Sequence, residues 1–330
     1  MIRKIHQWLR KHERLFSALK VLKYAGESSP LVYRCRDYTQ SDFVRTLIKI
    51  LVTPYCLLRY FAGKREIAGR EGLAFVLIAK NEATYIKEWL DFHIKQGVSK
   101  FIIYDNESTD NFREVLSPYI DAGIVIYDII RGRCRQLDAY NMALNKYRSK
   151  FKYMGFIDAD EFVFVRNNTY GGGGHCDLET FMDDFMAAHP NAGGLGINWL
   201  IFGSSHHEKR PAGGVLENFT MCAEKDFPEN HHIKTICDPL KTLSVPSVHH
   251  VIYAKGFSNL NENGAEIYGN NVVEVCFDKI RINHYFGKSR EEFIAKRSRG
   301  IACASELRPM HDFDHHDRNE CTDTEILSRR

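Results

Sequence analysis

None of the nine cysteines in this 330-residue sequence (35, 56, 134, 176, 222, 237, 276, 303, 321) is spaced as CxxC. The odd, scattered set excludes a zinc ribbon, a thioredoxin-type motif and a disulfide miniprotein, and reduced thiols are expected. Two phosphate-binding fingerprints are also missing. No GxGxxG follows the first apolar strand pattern, which disfavours a dinucleotide site, and no GxxxxGKS/T occurs, so there is no P-loop. A spanning helix needs about 20 mostly uncharged residues. The most apolar window, Phe43–Ala62, is broken by Arg45, Lys49, Pro54 and Arg59. The start, Met1-Ile-Arg-Lys-Ile-His, shows no apolar core followed by a small-residue cleavage site, so no secretory signal is expected and a cytoplasmic location follows. What remains is an ordinary globular composition, 44% hydrophobic, 12% aromatic and 26% charged. That excludes disorder and collagen-like structure.

The net charge of +3 conceals an asymmetry. Residues 1–72 carry 15 Lys+Arg against 6 Asp+Glu, a net of +9, and the remainder is acidic, at −6. Ile5, Trp8, Leu9, Leu15, Phe16 and Leu19 interleave with Arg3, Lys4, Arg10, Lys11 and Arg14. Further on, Arg45 and Lys49 share one helical face while Phe43, Leu47, Ile50 and Leu51 share another. Residues 1–72 therefore read as a basic amphipathic helical extension. Residues 1–62 are expected to dock peripherally on an anionic membrane surface, at the inner face of the cytoplasmic membrane. The alternative is two ordinary helices packed on the body. No nucleic-acid module follows the arm, so no nucleic-acid partner is expected.

From Leu73 the pattern becomes apolar runs alternating with helical periodicity. Leu73–Ala79 reads as a strand buried on both faces. Ile86, Trp89, Leu90, His93 and Ile94 mark a helix that Gly97 closes. Phe101–Tyr104, a helix near Asn111–Ile120, Ile124–Tyr127, a helix near Arg135–Tyr147, and Tyr153–Ile157 follow. This alternation predicts an α/β fold, Rossmann-like, with a mostly parallel sheet and helices on both faces. In such sheets ligands bind beyond the carboxyl ends of the strands. Three of these strands run into polar clusters: Lys80-Asn-Glu82, Asp105-Asn-Glu-Ser108 and Asp158-Ala-Asp160.

Asp158 and Asp160 lie two apart after an apolar run. On extended backbone both carboxylates point the same way. A divalent cation relieves their repulsion, and Mg²⁺ or Mn²⁺ suits hard oxygen ligands and a nucleotide diphosphate. A DxD triplet alone is often only a turn or helix cap; its place after a buried strand, beside a second acidic cluster, is what favours a metal site.

Several ordered motifs carry a resemblance. Ala79-Lys-Asn-Glu82, Glu88-Trp-Leu-Asp-Phe-His93, Tyr104-Asp-Asn-Glu-Ser-Thr-Asp110 and Phe156-Ile-Asp-Ala-Asp-Glu-Phe162 resemble glycosyltransferase family 92 and its relatives in the bacterial family 2 group. Asn198-Trp-Leu-Ile-Phe-Gly-Ser-Ser205, Pro211, Lys234-Thr-Ile236, Asn283-His-Tyr-Phe-Gly-Lys-Ser289, Glu292-Phe and Lys296-Arg-Ser-Arg-Gly300 continue it, over about residues 73–325. The resemblance implies the glycosyltransferase A fold over 73–330, with a nucleotide-sugar half (73–165) and an acceptor half (166–330). It also implies a nucleotide-sugar donor, expected to be UDP-linked, and Mn²⁺ or Mg²⁺. The acceptor would be a glycan or lipid-linked glycan of bacterial surface polysaccharide or lipopolysaccharide, with inversion at the anomeric centre. Residues His206-His207 stand where relatives tend to have Gly-His, and Gly171–Gly174 reads as an insertion.

Carried over residue by residue, the resemblance places Asn81, Glu82, Asp105, Gln136, Asn141 and Asp158 at the donor. Asp158, Asp160 and His284 would be metal ligands, and Lys288 would stand near the diphosphate. Glu217, in Val215-Leu-Glu-Asn-Phe219, is the expected base, with Glu208 and Asp226 as alternatives. Two rival readings remain. One is a zinc or di-metal hydrolase built on His311-Asp-Phe-Asp-His-His-Asp317; the other is a non-catalytic sugar-nucleotide-binding module.

Overall fold

The computed structural model describes residues 29, 31–32, 41–61, 67–166, 176–298 and 308–330. The basic segment with Ile5, Trp8 and Leu19, Cys35 and Cys303, and the Gly171–Gly174 run lie outside the described residues. Helix α1 (Asp42–Phe61) comes first. Then β1 (Glu71–Ala79), α2 (Ile86–Lys95), β2 (Val98–Asp105), α3 (Phe112–Asp121), β3 (Val125–Ile129), α4 (Gln136–Tyr147) and β4 (Phe151–Phe156) alternate as the sequence pattern predicts. Strands β1, β2 and β4 begin two or three residues before the expected starts. Their first residues include Glu71, Ser99, Lys100 and Lys152, whose polarity hides them from a reading of apolar runs.

Strands β1–β4 pair in parallel in the order β3-β2-β1-β4. The sheet then continues into the second half of the chain, through β8 (Ile233–Cys237), β6 (Ala192–Ile201), β12 (Ile280–His284) and β5 (Glu161–Val165). Here the pairing is mixed. β8 lies antiparallel between β4 and β6, and β5 is antiparallel to β12, while β6 and β12 are parallel. Helix α5 (Leu178–Ala188) packs on the sheet, and β11 (Ser258–Leu260) adds to β6. The remaining elements are short. They are α6 (Val215–Asn218), the pair β7 (Met221–Cys222) with β13 (Cys321–Thr322), the pair β9 (Thr242–Ser244) with β10 (Ile252–Tyr253), α7 (Arg290–Ser298) and α8 (His311–His316). The seven described cysteines are free.

An aromatic cluster under β1 fixes α2. Phe75, Trp89, Phe92 and Phe162 surround His93, and Phe101 packs on Phe75 and Trp89, all buried. Gly155 in β4 sits opposite Phe75, and a Cβ there would come within 2.8 Å of the ring. Gly97, at φ +89, ends α2 beside the side chain of Asp177, which in turn caps α5 by accepting from Thr180 N at 2.8 Å. A side chain at 97 would meet both the backbone strain and that carboxylate. His93 is a bridge. Its Nε2 accepts from Val163 N at 3.0 Å, so Nδ1 carries the proton and donates to Trp89 O at 2.9 Å. Burial holds the imidazole neutral and pushes its pKa down to about 3 from 6.5.

Helix α1 packs Val52, Cys56, Leu57 and Tyr60 against Leu243 and Ile252 of the β9–β10 pair. Arg45 reaches Asp138 of α4 at 3.9 Å. Among the described residues no helix is long and apolar enough to cross a membrane.

Substituting His93→Leu removes the acceptor for a buried amide, at a cost of about 1–3 kcal/mol. The sign of the pH effect follows from the depressed pKa. Below 6.5 the unfolded histidine binds a proton that the folded one refuses until about 3, so native stability falls as pH drops through that interval. Urea denaturation at stepwise lower pH should therefore show a shallower acid loss for His93→Leu than for the parent.

Candidate active site

The carboxyl ends of β1, β2, β3, β4, β6 and β12 share one rim of the sheet with the amino ends of the antiparallel strands β5 and β8. All the described non-glycine residues with positive φ lie in loops leaving this rim. They are Asn81 after β1, Glu107 after β2, Cys134 after β3, Ser205 and His206 after β6, and Lys288 after β12. Backbone conformations of this kind cost energy and persist where the surroundings impose them, commonly at functional loops. The sheet order reverses at β1, between β2 and β4, so the rim also holds the topological switch point.

Asp158 leaves β4 at that point. Its Oδ1 accepts from Gln136 Nε2 and from Tyr140 OH, each at 2.9 Å, and its Oδ2 receives Lys234 Nζ at 2.7 Å. Lys234, on β8, is fully buried and also lies 3.4 Å from Glu161 Oε2, which accepts from Asp158 N at 2.8 Å. Burial lowers the lysine's pKa, but the charges of Asp158 and Glu161 outweigh it and the net shift is upward. Glu161 has the opposite balance. Burial, with Asp158 and Asp160 nearby, raises its pKa well above the carboxylate range despite Lys234.

Asp160 is handled separately. The segment between β4 and β5 turns at Ala159–Asp160 instead of staying extended, so the two carboxylates meet different partners. Asp160 Oδ2 receives Lys296 Nζ at 2.6 Å, and Oδ1 stands 3.7 Å from His284 Nε2. Burial opposes ionisation of Asp160, yet Lys296 and His284 hold its pKa well below the usual range. Burial lowers the pKa of His284, against the pull of Asp160, and its Nδ1 is a buried atom without a hydrogen-bond partner among the described residues. No group of three His, Cys, Asp or Glu side chains that could hold a metal occurs among the described residues. The expected trio of Asp158, Asp160 and His284 is thus a pair plus a neighbour. Asp160 Oδ1 and the neutral His284 fit a Mn²⁺- or Mg²⁺-type ion as two donors, whereas both oxygens of Asp158 are engaged elsewhere.

The other residues singled out in the sequence fall into three groups. At the nucleotide side, buried Asp105 accepts from Tyr127 OH at 2.6 Å and from Ser108 N at 2.8 Å. Asn81 Oδ1 accepts from Thr109 N at 2.7 Å, and the Glu82 carbonyl starts α2 by accepting from Tyr85 N and Ile86 N. Gln136 stands on Asp158. Asn141 exchanges two hydrogen bonds with the backbone of Val245. Lys288 lies over the Tyr85 ring at 5.1 Å. Glu217 has a third role. It is exposed, accepts from Gly214 N at 3.0 Å as a cap of α6, and pairs with Arg330 at 2.8 Å. Arg330 lowers its pKa, which weakens it as a base. Glu208 and Asp226 are exposed.

The His311–Asp317 cluster forms α8 and spends its side chains structurally. Phe313 is buried, His316 stacks on Phe286 with centroids 4.0 Å apart, and Asp317 accepts from Ser204 N. His315 reaches Glu229 Oε1 at 3.1 Å. The same Glu229, ahead of β8, meets His232 Nδ1 with Oε2 at 3.0 Å. His232 and His249 flank Trp199, and Trp199 packs on His284 with centroids 4.3 Å apart. Burial, then the charges of Lys234 and His232, push His249 down to about 3. The Trp199 indole N–H is buried without a hydrogen-bond partner among the described residues. Sequence reading gave no role to Lys234, Lys296, Glu161, Glu229, His232 or Trp199. Lys234-Thr-Ile236 and Lys296-Arg stood within the quoted motifs, but nothing in a linear pattern says which acid a distant lysine will meet.

A mostly parallel sheet with acidic residues at its switch-point rim defines an α/β protein with a candidate active site beyond the strand ends. The family model for glycosyltransferase family 92 matches residues 76–293, and the chain belongs to that family. A family 92 protein of Ricinus communis is 28% identical over 205 residues, 60% of this chain and 34% of its own length. The chain spans about a third of the length of such curated relatives. A galactan β-1,4-galactosyltransferase of Arabidopsis thaliana, GALS2, is 34% identical over 90 residues, 24% of this chain and 17% of its own. These named relatives are plant proteins and lend no support to a bacterial origin. The crystal structure of S. aureus TarS 1-349 with UDP-GlcNAc shares 16% identity and a TM-score of 0.33, covering 51% of this chain and 45% of that one. At that level the likeness carries no argument.

Lys234→Met should leave Asp158 and Glu161 without their cation and destabilise the protein by about 3–5 kcal/mol. Adding Glu161→Gln should recover part of the loss. Chemical denaturation of the two single variants and the double variant measures this coupling; simple additivity would contradict it.

Proposed function

We propose that this protein transfers a hexosyl group from a UDP-linked sugar to a hydroxyl of a glycan or lipid-linked glycan, in a divalent-cation-dependent reaction that inverts the anomeric centre. Family membership supports the reaction class. The observation that carries the reading is the pair of rim acids, each matched to its own buried or half-buried lysine: Asp158 to Lys234 and Asp160 to Lys296. The galactosyltransferase name of the Arabidopsis relative supports a hexose donor.

In this reading Asp105 and the loop it braces through Ser108 receive the uridine side. Asp158, oriented by Gln136 and Tyr140, accepts ribose or sugar hydroxyls. Asp160 and His284 would hold the cation, which when bound supplies Lewis-acid stabilisation of the departing diphosphate. Lys296 and Lys288 bring positive charge to the same side. His232 replaces Glu217 as the proposed base. Glu229 fixes its Nδ1, which turns the other ring nitrogen to the acceptor hydroxyl, and an imidazole with a carboxylate behind it is a competent proton acceptor. The hydrolase alternative loses its basis because the α8 histidines are engaged with Glu229, Phe286 and backbone.

Titration calorimetry with UDP-sugars should show heat only with Mn²⁺ or Mg²⁺ present, and Asp160→Asn should abolish it. Metal-independent binding of equal strength in the variant would refute the cation assignment. For the base, His232→Gln should lower kcat by about 10²–10⁴-fold with the donor KM unchanged. A drop in donor affinity alone would reassign His232 to binding. Retained configuration in the product, read by NMR, would refute inversion.

A further inference from the structure

We propose that Tyr85 is a positioning residue for the diphosphate: its ring face holds the Lys288 ammonium at the rim without neutralising it. This role rests on the donor reading above and deepens it. An ammonium taken out of water ordinarily needs a carboxylate beside it. Lys234 has Asp158, and Lys296 has Asp160. Lys288 is only 8% exposed, yet it donates no side-chain hydrogen bond and meets no carboxylate among the described residues. What lies beneath it is the Tyr85 ring, with the ammonium 5.1 Å from the centroid. A ring face attracts a cation but carries no net charge, so the positive charge of Lys288 stays uncompensated. Its field reaches the acid on the cation side. Against burial, Lys296 and His284 lower the pKa of Asp160, and Lys288 adds to them.

Two rim loops keep this contact in place. Tyr85 is buried and stands immediately before α2, at the end of the loop after β1. Its hydroxyl donates to Glu292 Oε1 at 2.6 Å. The other oxygen of Glu292 accepts from Ser289 Oγ at 2.6 Å and from Ser289 N at 3.2 Å. Glu292 is thereby spent on the phenol and on the start of α7, and not on Lys288. Burial, then Glu292, raise the pKa of the phenol, so the hydroxyl keeps its proton and continues to donate. Lys288 itself adopts φ +54, a left-handed conformation that a lysine holds only where its surroundings impose it. Backbone, ring and engaged carboxylate together present a cation that an incoming anion can still pair with. The diphosphate of the donor is the anion that would arrive beside Asp160.

Calorimetry on the full chain, with inorganic pyrophosphate and with UDP-galactose, each in the presence of Mg²⁺, tests this role. Lys288→Met should weaken both by on the order of tenfold to a hundredfold. Tyr85→Leu should weaken both by about threefold to thirtyfold, and should add nothing when combined with Lys288→Met. Tyr85→Phe keeps the ring and should bind like the parent. Fluorinating the ring of Tyr85→Phe at one, two or three positions keeps its shape while drawing charge from its face, so affinity should fall stepwise. A purely structural tyrosine would lower the thermal midpoint of Tyr85→Leu and leave the fluorinated series flat. A flat series, or Tyr85→Leu equal to the parent, would overturn the role of the ring. A parent that shows the pattern with pyrophosphate but does not bind UDP-galactose would refute the donor reading and leave the ring's role standing. A parent that binds neither would overturn both.

Discussion

One buried ammonium organises the rim. Lys234 lies between Asp158 and Glu161, with no exposure to water, and the backbone amide of Asp158 completes the set by donating to Glu161. An ammonium removed from solvent carries a desolvation cost that only close pairing offsets. The geometry that results is the useful product. Asp158 is held by a lysine, an amide and a phenol, so its carboxylate stands in one orientation before any ligand arrives. Asp160, two residues on, has an independent lysine. The two acids avoid mutual repulsion by facing different cations, not by sharing one.

Much of the first half of the fold was legible from periodicity. The run Leu73–Ala79 is buried throughout, and the stripe from Ile86 to His93 is the inner face of α2. Such local patterns depend on side-chain spacing alone. The second half was not legible in the same way. β8 inserts antiparallel between β4 and β6, and β5 reverses against β12, because of pairings between segments tens of residues apart. The site shows the same division. Asp105, Asp158 and Asp160 could be found because strand ends follow apolar runs. Lys234 and Lys296 meet those acids only after the sheet closes. The short spacing of Asp158 and Asp160 suggested one shared ligand, and the turn at Ala159 separates them.

Conformational strain and chemistry coincide on this rim. Left-handed non-glycine residues follow five of the strands, and His284 and Trp199, whose Nδ1 and Nε1 have no hydrogen-bond partner among the described residues, pack with ring centroids 4.3 Å apart. Beneath the rim, the Phe75–Trp89–His93 cluster carries apolar stability and reaches the site through the Trp89 indole, which donates to Glu161 O at 2.8 Å. Such a division lets the loops vary for donor and acceptor while the sheet keeps the acids in place.

The acids and their lysines come from distant parts of the sequence, and this has a consequence for how the chain is made. A ribosome delivers Asp158, Asp160 and Glu161 well before Lys234 and later still Lys296. Until those lysines leave the exit tunnel, the emerging β1–β4 unit carries three uncompensated carboxyl groups where its centre should form. Vectorial synthesis should therefore hold the nascent amino-terminal half open, or with Glu161 protonated, and final closure should wait for the distal third of the polypeptide.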